Sequence, residues 1–349
     1  MKTKIFLGAY VNFPNAQNVN CDHIAKYLDK KKFEVHTMYS SIMPVDREAY
    51  EKAGIHLHKL IHHRFIWFWC KLFAMWRTNC DIYYLPKMES ADSFFAKWKR
   101  KSNTLFISSV EGVVGAQVAA DDAATINFLE LMDEYFSISD CIRDSVEKHW
   151  GRKTQTLHLG VDPVGSHIAK EDIQKVIWTG SMIERKRPQY LIEIAKKFPQ
   201  IHFTMVGDGD MDGQIRDMIA QYGLTNVTLT GRIPNEQVYE KMQESDLLLM
   251  TSEFEGLPKV IQEAAQCGLP SIYMAENYKV DFLRDGVNGY EAYSLPEMVE
   301  KLTYLLENPE KYREMSQNAA QIIQEYTWEN LIPKYEEYFL RKLEEKRKK

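Results

Sequence analysis

The stretch SEFEGLPKVIQEAAQCGLP, residues 252–270, follows the apolar run Leu247–Met250 and leads through a glycine-containing loop into a helical segment. A buried strand, a loop and a helix in this order form the repeating unit of a parallel α/β sheet. A loop that enters a helix presents free backbone N–H groups and the positive end of the helix dipole, which together favour an anion. The stretch therefore predicts a parallel sheet with a ligand site at the carboxyl end of this strand.

Two glutamates of this stretch are candidate ligand-binding residues: Glu255 at the mouth of the turn and Glu263 on the predicted helix. Because carboxylates would repel an anion, their more sensible task is to accept hydrogen bonds from the hydroxyl groups of a ribose or a sugar. The spacing alone leaves a second interpretation open. In that interpretation Glu255 is an ordinary acid at a helix start, and Glu263 is a solvated helical residue.

The same alternation of strands and helices extends along the whole chain. The predicted strands are Lys4–Gly8, Phe33–Met38, Asp81–Leu85, Thr104–Ser108 and Tyr135–Ser139 in the first half, and Lys175–Thr179, Ile201–Val206, Val227–Leu229, Leu247–Met250 and Pro270–Tyr273 in the second. Glycine and proline cluster near residue 160, which is typical of a linker. We expect an N-terminal domain at 1–160, a linker at 161–174, a C-terminal domain at 175–325 and a terminal helix at 326–349.

Bulk composition narrows the class of protein. The chain has 349 residues, enough for about two domains, and its net charge of −5 argues against a nucleic-acid-binding protein. Its five cysteines form no Cys-x-x-Cys pair, so we expect neither a disulfide framework nor a zinc site. We also find no apolar run of the roughly 18–20 residues that span a bilayer. These features favour a cytoplasmic protein.

Aromatic residues are concentrated between Phe65 and Trp76, where Lys71 is the only polar residue. One interpretation is a helix buried between the sheet and its neighbours. The other is a partly exposed patch that lies at a membrane interface or receives a lipid-linked acceptor. Residues 62–77 are therefore a candidate membrane contact, at the inner face of the plasma membrane. The basic end of the chain, residues 341–349, is interpreted as a solvated helix end, with attraction to anionic lipid as the alternative.

Several motifs together resemble the retaining glycosyltransferases of family 4, also known as glycosyltransferase group 1. Glu255 and Glu263 lie in the pattern Glu-Gly-Leu-Pro-x-x-x-x-Glu-Ala, which resembles the signature of that family. Residues 179–186 (TGSMIERK) resemble its Gly-Arg-x-x-x-x-Lys loop, and 205–209 (MVGDG), 229–233 (LTGRI) and 159–162 (LGVD) resemble other recurring segments. The resemblance implies an α/β protein of the GT-B fold, with two Rossmann-like domains that face a cleft and a C-terminal helix that crosses back to the first domain.

The resemblance also implies roles for individual residues. Lys186 would pair with the donor diphosphate, Glu263 would hold the ribose hydroxyls and Glu255 would bind hydroxyls of the transferred sugar. One departure is that Ser181 stands where the family has an arginine, a charge that Arg185 or Arg187 could supply. The full donor-binding set implied is Gly180, Ser181, Arg185, Lys186, Gly207, Arg232, Glu255, Gly256, Leu257 and Glu263.

The N-terminal half resembles the family more weakly. The loop after the first strand has no glycine pair, and Asn15 and Asn18 could line the cleft in its place. Glu111 stands where the family has a histidine that touches the transferred sugar. It is a candidate catalytic residue beside Glu255 and Lys186, or a residue that acts on the acceptor, although a structural acid at a strand end is the alternative.

The resemblance implies a retaining, metal-independent transfer of a sugar from a nucleotide sugar to a sugar or lipid-linked acceptor, with no cofactor and no metal site. We expect such an enzyme to act in bacterial surface polysaccharide or glycolipid assembly. Two alternatives stay open: a GT-B nucleotide-sugar epimerase, and a non-catalytic protein that binds sugar nucleotides.

Overall fold

Short apolar runs form the strands, and amphipathic segments between them form helices that cover the two faces of each sheet. A computed structural model describes residues 2–13, 15–63, 65–99, 103–115, 119–163 and 170–348, and side chains in all of these except 119–122. The described chain divides into two compact units. The first comprises residues 1–160 and 328–349, and the second comprises residues 161–327. Residues 164–169 of the predicted linker lie outside the described residues.

The first unit has an entirely parallel sheet with helices between successive strands. Its elements are β1 (Thr3–Tyr10), α1 (Ala16–Tyr27), β2 (Phe33–Ser40), α2 (Arg47–Lys52), β3 (Ile55–Leu60), α3 (Trp67–Thr78), β4 (Ile82–Tyr84), α4 (Ser90–Lys99), β5 (Leu105–Val110), α5 (Ala119–Leu129), β6 (Glu134–Ser137) and α6 (Asp140–Trp150). The described strands are ordered β3-β2-β1-β4-β5-β6. The order reverses between β1 and β4, which is where ligands bind in open α/β sheets.

The second unit repeats this plan. Its elements are β7 (Lys175–Thr179), a 3₁₀ turn (Glu184–Lys186), α7 (Gln189–Ala195), β8 (His202–Val206), α8 (Asp212–Tyr222), β9 (Val227–Gly231), α9 (Asn235–Gln243), β10 (Leu247–Met250), α10 (Lys259–Gln266), β11 (Ser271–Met274), β12 (Gly289–Ala292), α11 (Leu295–Glu307), α12 (Pro309–Ile322) and a 3₁₀ turn (Ile323–Tyr326). The described strand order, β12-β11-β10-β7-β8-β9, reverses between β7 and β10. Two parallel α/β sheets of this order confirm the predicted fold class.

The last helix, α13 (Trp328–Lys348), belongs to the first unit although it follows the second in the chain. Its buried face includes Trp328, Tyr335 and Phe339, and the Tyr335 hydroxyl donates to the carbonyl oxygens of Leu157 and His158 at 3.0 and 3.1 Å. Packing against the sheet, rather than intrinsic propensity, therefore holds this charged helix in place.

The basic end of α13 forms ion pairs with acids of the first unit. Lys346 lies 2.5 Å from Asp133, Arg347 lies 2.5 Å from Asp81, and Lys342 lies 3.1 Å from Glu134. The interpretation of this segment as a solvated end is therefore wrong for Lys342 and Lys346, whose side chains are about one-fifth exposed, whereas Arg347 is half exposed.

Helix α3 contains most of the aromatic run, and it is neither fully buried nor fully exposed. Lys71, Leu72, Ala74 and Met75 are buried, whereas Trp69, Phe73 and Trp76 are more than half exposed. Among the described residues, we find no helix with the length and apolar character needed to cross a bilayer.

Candidate functional site

The second unit places two loops side by side at the point where its strand order reverses. Residues 180–187 follow β7, and residues 251–258 follow the neighbouring strand β10. Because both strands are parallel, their carboxyl ends meet at one edge of the sheet. Residues that are distant in sequence, Lys186 and Glu255, are thereby brought into contact.

Glu255 is the centre of this contact. Its Oε1 atom lies 2.5 Å from Lys186 Nζ and 3.1 Å from an Arg185 guanidinium nitrogen. The side chains of Glu255 and Lys186 are largely buried, at 13% and 17% exposure, while Arg185 is more open at 33%. Two cations around one carboxylate leave a net positive charge, so the cluster can receive an anionic group beside a hydrogen-bond acceptor.

Further contacts fix the two loops to each other. The Thr251 hydroxyl accepts a hydrogen bond from the Trp178 indole at 2.9 Å and donates to the Lys186 carbonyl oxygen at 2.7 Å. The Glu253 amide donates to the Arg185 carbonyl oxygen at 2.8 Å. Arg185 also donates to the Phe254 carbonyl oxygen at 2.6 Å. Such bracing keeps the charged side chains in one geometry, which a preorganised site requires.

Gly207 supports the loop after β7 from its other side. A Cβ atom at Gly207 would come within 2.0 Å of the Gly180 carbonyl oxygen, and the φ of Gly207 is +128°. A Cβ atom at the next glycine, Gly209, would come within 2.6 Å of the Met182 carbonyl oxygen, and the Met182 amide donates to the Asp208 carbonyl oxygen at 2.8 Å. The MVGDG segment is thus needed for the close approach of two backbones.

Glu263 lies on α10 and is half-buried. Burial raises the pKa of its carboxyl, and Lys259 opposes the rise. Among the described residues, its carboxylate has no hydrogen-bond or ion-pair partner. A carboxylate that is partly removed from water and has no partner lowers the stability of the folded protein, unless a ligand supplies hydrogen-bond donors.

The remaining predicted donor residues occupy different positions. Gly256 and Leu257 lie in the loop that enters α10, and both are half-buried. Gly180 and Ser181 begin the loop after β7, where Ser181 is exposed. Arg232 follows β9, which is separated from β7 by β8, and its side chain is exposed. Among the described contacts, Arg232 forms none with the Lys186–Glu255 pair.

In the first unit, the structure corrects the expectation for Asn18. Asn18 is fully buried, where its Oδ1 accepts from the Tyr10 amide at 3.0 Å and its Nδ2 donates to the Phe13 carbonyl oxygen at 3.1 Å. Its polar atoms hold the loop after β1 instead of lining a surface. Asn15 caps α1, with its Oδ1 accepting from the Asn18 amide at 3.2 Å. Glu111 follows β5, half-buried, and accepts from the Ser109 hydroxyl at 2.9 Å.

A buried charge cluster in the first unit was not predicted from the sequence. Lys71 is completely buried and lies 2.6 Å from Glu89 and 2.8 Å from Asp92. Its Nζ also donates to the Gly8 carbonyl oxygen at 3.0 Å, and the Tyr10 hydroxyl donates to Glu89. The available signal was Lys71 itself, a single charge in an apolar helix, which requires a buried partner.

Residues 165–322 match the family described as glycosyl transferases group 1, which confirms the resemblance to group 1 found in the motifs of the second half of the chain. The chain is 22% identical over 202 residues to an uncharacterized glycosyltransferase of Methanocaldococcus jannaschii, covering 57% of each protein. It is 29% identical over 164 residues to the alpha-galactosylglucosyldiacylglycerol synthase of Streptococcus pneumoniae, covering 45% of this chain and 43% of that one. The chain thus spans about half the length of these relatives.

A solved structure has the same fold over nearly the whole of this chain. The crystal structure of Anabaena HepE in complex with UDP matches with a TM-score of 0.77 and 18% identity, covering 98% of this chain and 100% of that one. This similarity, together with the two sheets, confirms the GT-B fold class.

Proposed function

We propose that this protein is a glycosyltransferase that moves a sugar from a nucleotide-sugar donor to an acceptor hydroxyl. The observation that carries the proposal is the Lys186–Glu255–Arg185 cluster at the strand reversal of the second unit. The match to the group 1 family over this unit supports it, as does the similarity to a structure in complex with UDP.

In the proposed reaction, the acceptor oxygen forms a bond to the anomeric carbon while the bond from that carbon to the donor diphosphate breaks. We propose that attack and departure occur on the same face, so that configuration is retained and the acceptor proton passes to the leaving diphosphate oxygen. Lys186 and Arg185 offset the negative charge that grows on the diphosphate, so no metal is required. Because the uncharged Ser181 stands where the family has an arginine, Arg185 supplies the second cation beside the diphosphate.

The two glutamates then bind hydroxyl groups. Glu255, oriented by Lys186 and Arg185, accepts hydrogen bonds from the transferred sugar. Glu263 lies on the following helix without a described partner, and it accepts from the ribose hydroxyls of the nucleotide. The amides of Gly256 and Leu257 face the anionic part of the donor at the entrance to α10.

The acceptor side of the proposal concerns surface glycans. We propose a role in bacterial surface polysaccharide or glycolipid assembly, supported by the relative whose name describes the synthesis of a glycolipid. Residues 62–77 are proposed to contact the inner face of the plasma membrane; the exposed aromatic side chains of α3 support this. Arg64 of this segment lies outside the described residues.

The test is a panel of UDP, GDP and ADP sugars, with release of nucleotide and transfer to acceptor followed by chromatography. Lys186→Met and Glu255→Gln should each lower the rate by about 100-fold or more, because each removes charge stabilisation or positioning at the reacting centre. Glu263→Gln should weaken nucleotide binding by roughly 10-fold or more, since a hydrogen bond to a charged group contributes about 1.5–3 kcal/mol.

Lys241→Met is the matched control, because Lys241 is a surface lysine of the same unit that pairs with Glu244. It should retain the wild-type rate. If no donor is turned over and no nucleotide binds, the proposal fails. Conversion of the donor sugar to its epimer without an acceptor would identify an epimerase instead.

A further inference from the structure

A pocket of about 290 Å³ opens in the first unit. It is lined by residues from the ends of β1 and β3 and from the segments that follow β3 and β4: Tyr10, Leu60, His62, His63, Trp67 and Glu89. Tyr10 ends β1 and Glu89 follows β4, so the pocket lies where the strand order of this sheet reverses. This is the position at which open α/β sheets bind ligands.

The polar side of the pocket is held rigidly. Oε2 of Glu89 accepts from Lys71 Nζ at 2.6 Å and from the Tyr10 hydroxyl. Burial opposes ionisation of Glu89, but Lys71 and Tyr10 outweigh it and hold the pKa of this carboxyl below its ordinary value. Among the described residues, no hydrogen bond reaches its Oε1. The pocket therefore offers a fixed, ionised acceptor to an incoming hydroxyl group.

The other lining groups fit a sugar ring. Trp67 supplies aromatic surface for the apolar face of such a ring, and His62 and His63 can donate or accept hydrogen bonds at its edge. A small number of polar groups in an otherwise apolar lining is typical of a small-molecule site. The Glu89 carboxylate accepts hydrogen bonds from sugar hydroxyls, which a fully ionised phosphate does not offer, so a neutral sugar is the better ligand.

The pocket adjoins an apolar surface. We define the α3–α4 surface as the exposed residues Phe65, Ile66, Trp69, Phe73 and Trp76 in and just before α3, together with Phe94 and Trp98 of α4. Six of these seven are between 54% and 71% exposed, the exception being Ile66 at 41%. Trp67 joins the two features, because it lines the pocket and begins α3.

Charge identifies what covers this surface. Arg77 and Lys97 are exposed on these two helices, and Asp92, the only acid in either helix, is fully buried against Lys71. Aromatic side chains with cations and without exposed acids match the interface of an anionic membrane. A soluble protein partner would not require the absence of acids.

We propose that the pocket binds the sugar ring of a membrane glycolipid while the α3–α4 surface contacts the surrounding lipid. The inference rests on the proposed function only in taking this sugar as the acceptor of transfer. It assigns Glu89 and Trp67 to acceptor binding, beside the predicted Glu111.

The experiment measures flotation of the full chain with vesicles of phosphatidylcholine and phosphatidylglycerol, with and without a glucosyl or galactosyl diacylglycerol, and with no nucleotide sugar present. The wild-type protein should bind plain vesicles and should bind at least one glycolipid vesicle about tenfold more tightly. Glu89→Gln and Trp67→Leu should remove the glycolipid preference and keep binding to plain vesicles. Trp69→Ser with Phe73→Ser should lose binding to all vesicles.

Controls separate the possible failures. Trp150→Leu, a tryptophan substitution on α6 of the same unit, should behave as wild type. Lys186→Met should keep the glycolipid preference while it loses transfer, so failure of the proposed function is distinguishable from failure of this inference. Three outcomes would overturn the inference. The first is that both pocket variants keep the glycolipid preference, and the second is that the wild-type protein binds no vesicles. The third is that soluble methyl glucoside or methyl galactoside binds as tightly as the glycolipid vesicles do.

Discussion

A single lysine decides how the aromatic helix α3 is oriented. Lys71 is fully buried, and its ammonium group lies between Glu89 and Asp92, so one face of the helix must point inward. The opposite face, with Trp69, Phe73 and Trp76, is left exposed. The sequence distinguishes Lys71 as the one polar residue of the run. The partners of Lys71 could not be predicted from the sequence, because both acids follow β4 and contact Lys71 only in the folded protein.

Lys71→Met should destabilise the first unit by about 3–5 kcal/mol, because it leaves two buried carboxylates without their cation. Burial already raises the pKa of Asp92 to about 6 despite the opposing effect of Lys71. Urea unfolding followed by tryptophan fluorescence measures the change. Lys97→Met, an exposed substitution on α4, should alter the free energy of unfolding by less than about 0.5 kcal/mol. Similar values for the two variants would contradict the assigned role.

At the scale of elements, two strands of the second unit were predicted most closely, whereas β12 was not predicted. The predicted β7 and β10 begin and end at the observed residues, because each is a short, largely apolar run between turn residues. The contact of Lys186 with Glu255 was not derivable from spacing. It depends on β7 and β10 being neighbours, which is a property of sheet order.

Strand β3 was missed for an identifiable reason. Its sequence IHLHKL places His56 and His58 at alternate positions, so the strand lacks a continuous apolar run. In the structure His58 lies 3.1 Å from His36 of β2, and the rings of His36 and His56 stack at 4.8 Å. Histidines that pack in this way behave as part of the sheet surface rather than as loop residues.

This histidine cluster makes the stability of the first unit depend on pH. Burial, and then His36, His56 and Arg77, lower the pKa of His58 to about 4. In the unfolded chain a histidine takes up its proton near pH 6.5. The unfolded state therefore binds more protons between about pH 6.5 and 4, and stability falls as the pH is lowered through that window.

His58→Gln should remove roughly 1 kcal/mol of this loss, after allowance for partial exposure of the ring. Urea unfolding as a function of pH measures the effect, and His62→Gln, an exposed histidine of the same unit, is the control. An unchanged slope in His58→Gln would show that other groups cause the dependence.

Gly207 tests the backbone contact between the loops after β7 and β8. Gly207→Ala should destabilise the second unit by roughly 2 kcal/mol or more, because the added carbon meets the Gly180 carbonyl oxygen and φ is positive. Gly213→Ala is a matched control. Nothing lies within 4 Å of a Cβ at Gly213, in the first turn of α8, so alanine there should be neutral or slightly stabilising. Thermal unfolding compares the two variants.

At the scale of the whole molecule, the first unit is assembled from two separated parts of the chain. Residues 328–348 return to it as α13 after the second unit is complete. The family resemblance implied this return, whereas helical periodicity alone indicated only a long polar helix. Its ion pairs with Asp133, Asp81 and Glu134 could not be predicted, since alternate charges along a helix do not specify their partners.

The variant Tyr335→Ala tests how much the packing of α13 contributes to the stability of the first unit. The ring is fully buried, and its hydroxyl donates to two carbonyl oxygens, so we expect a loss of about 3–5 kcal/mol in the stability of the first unit. Calorimetry of the full chain measures the change. Tyr304→Ala, at a 44% exposed position on α11, should have little effect. A small effect of Tyr335→Ala would show that the first unit is stable without this contact.

The return of α13 also has a consequence for synthesis on the ribosome. Translation must continue through the entire second unit after Gly160 before the helix that covers Tyr84 and Phe136 emerges. At about 5–20 residues per second, that interval is on the order of 10–40 seconds. During it the nascent first unit exposes an uncovered aromatic face, while the second unit has its whole sequence available. We therefore expect the unit that is translated later to reach its native fold earlier, and the nascent N-terminal sheet to be the segment that chaperones protect.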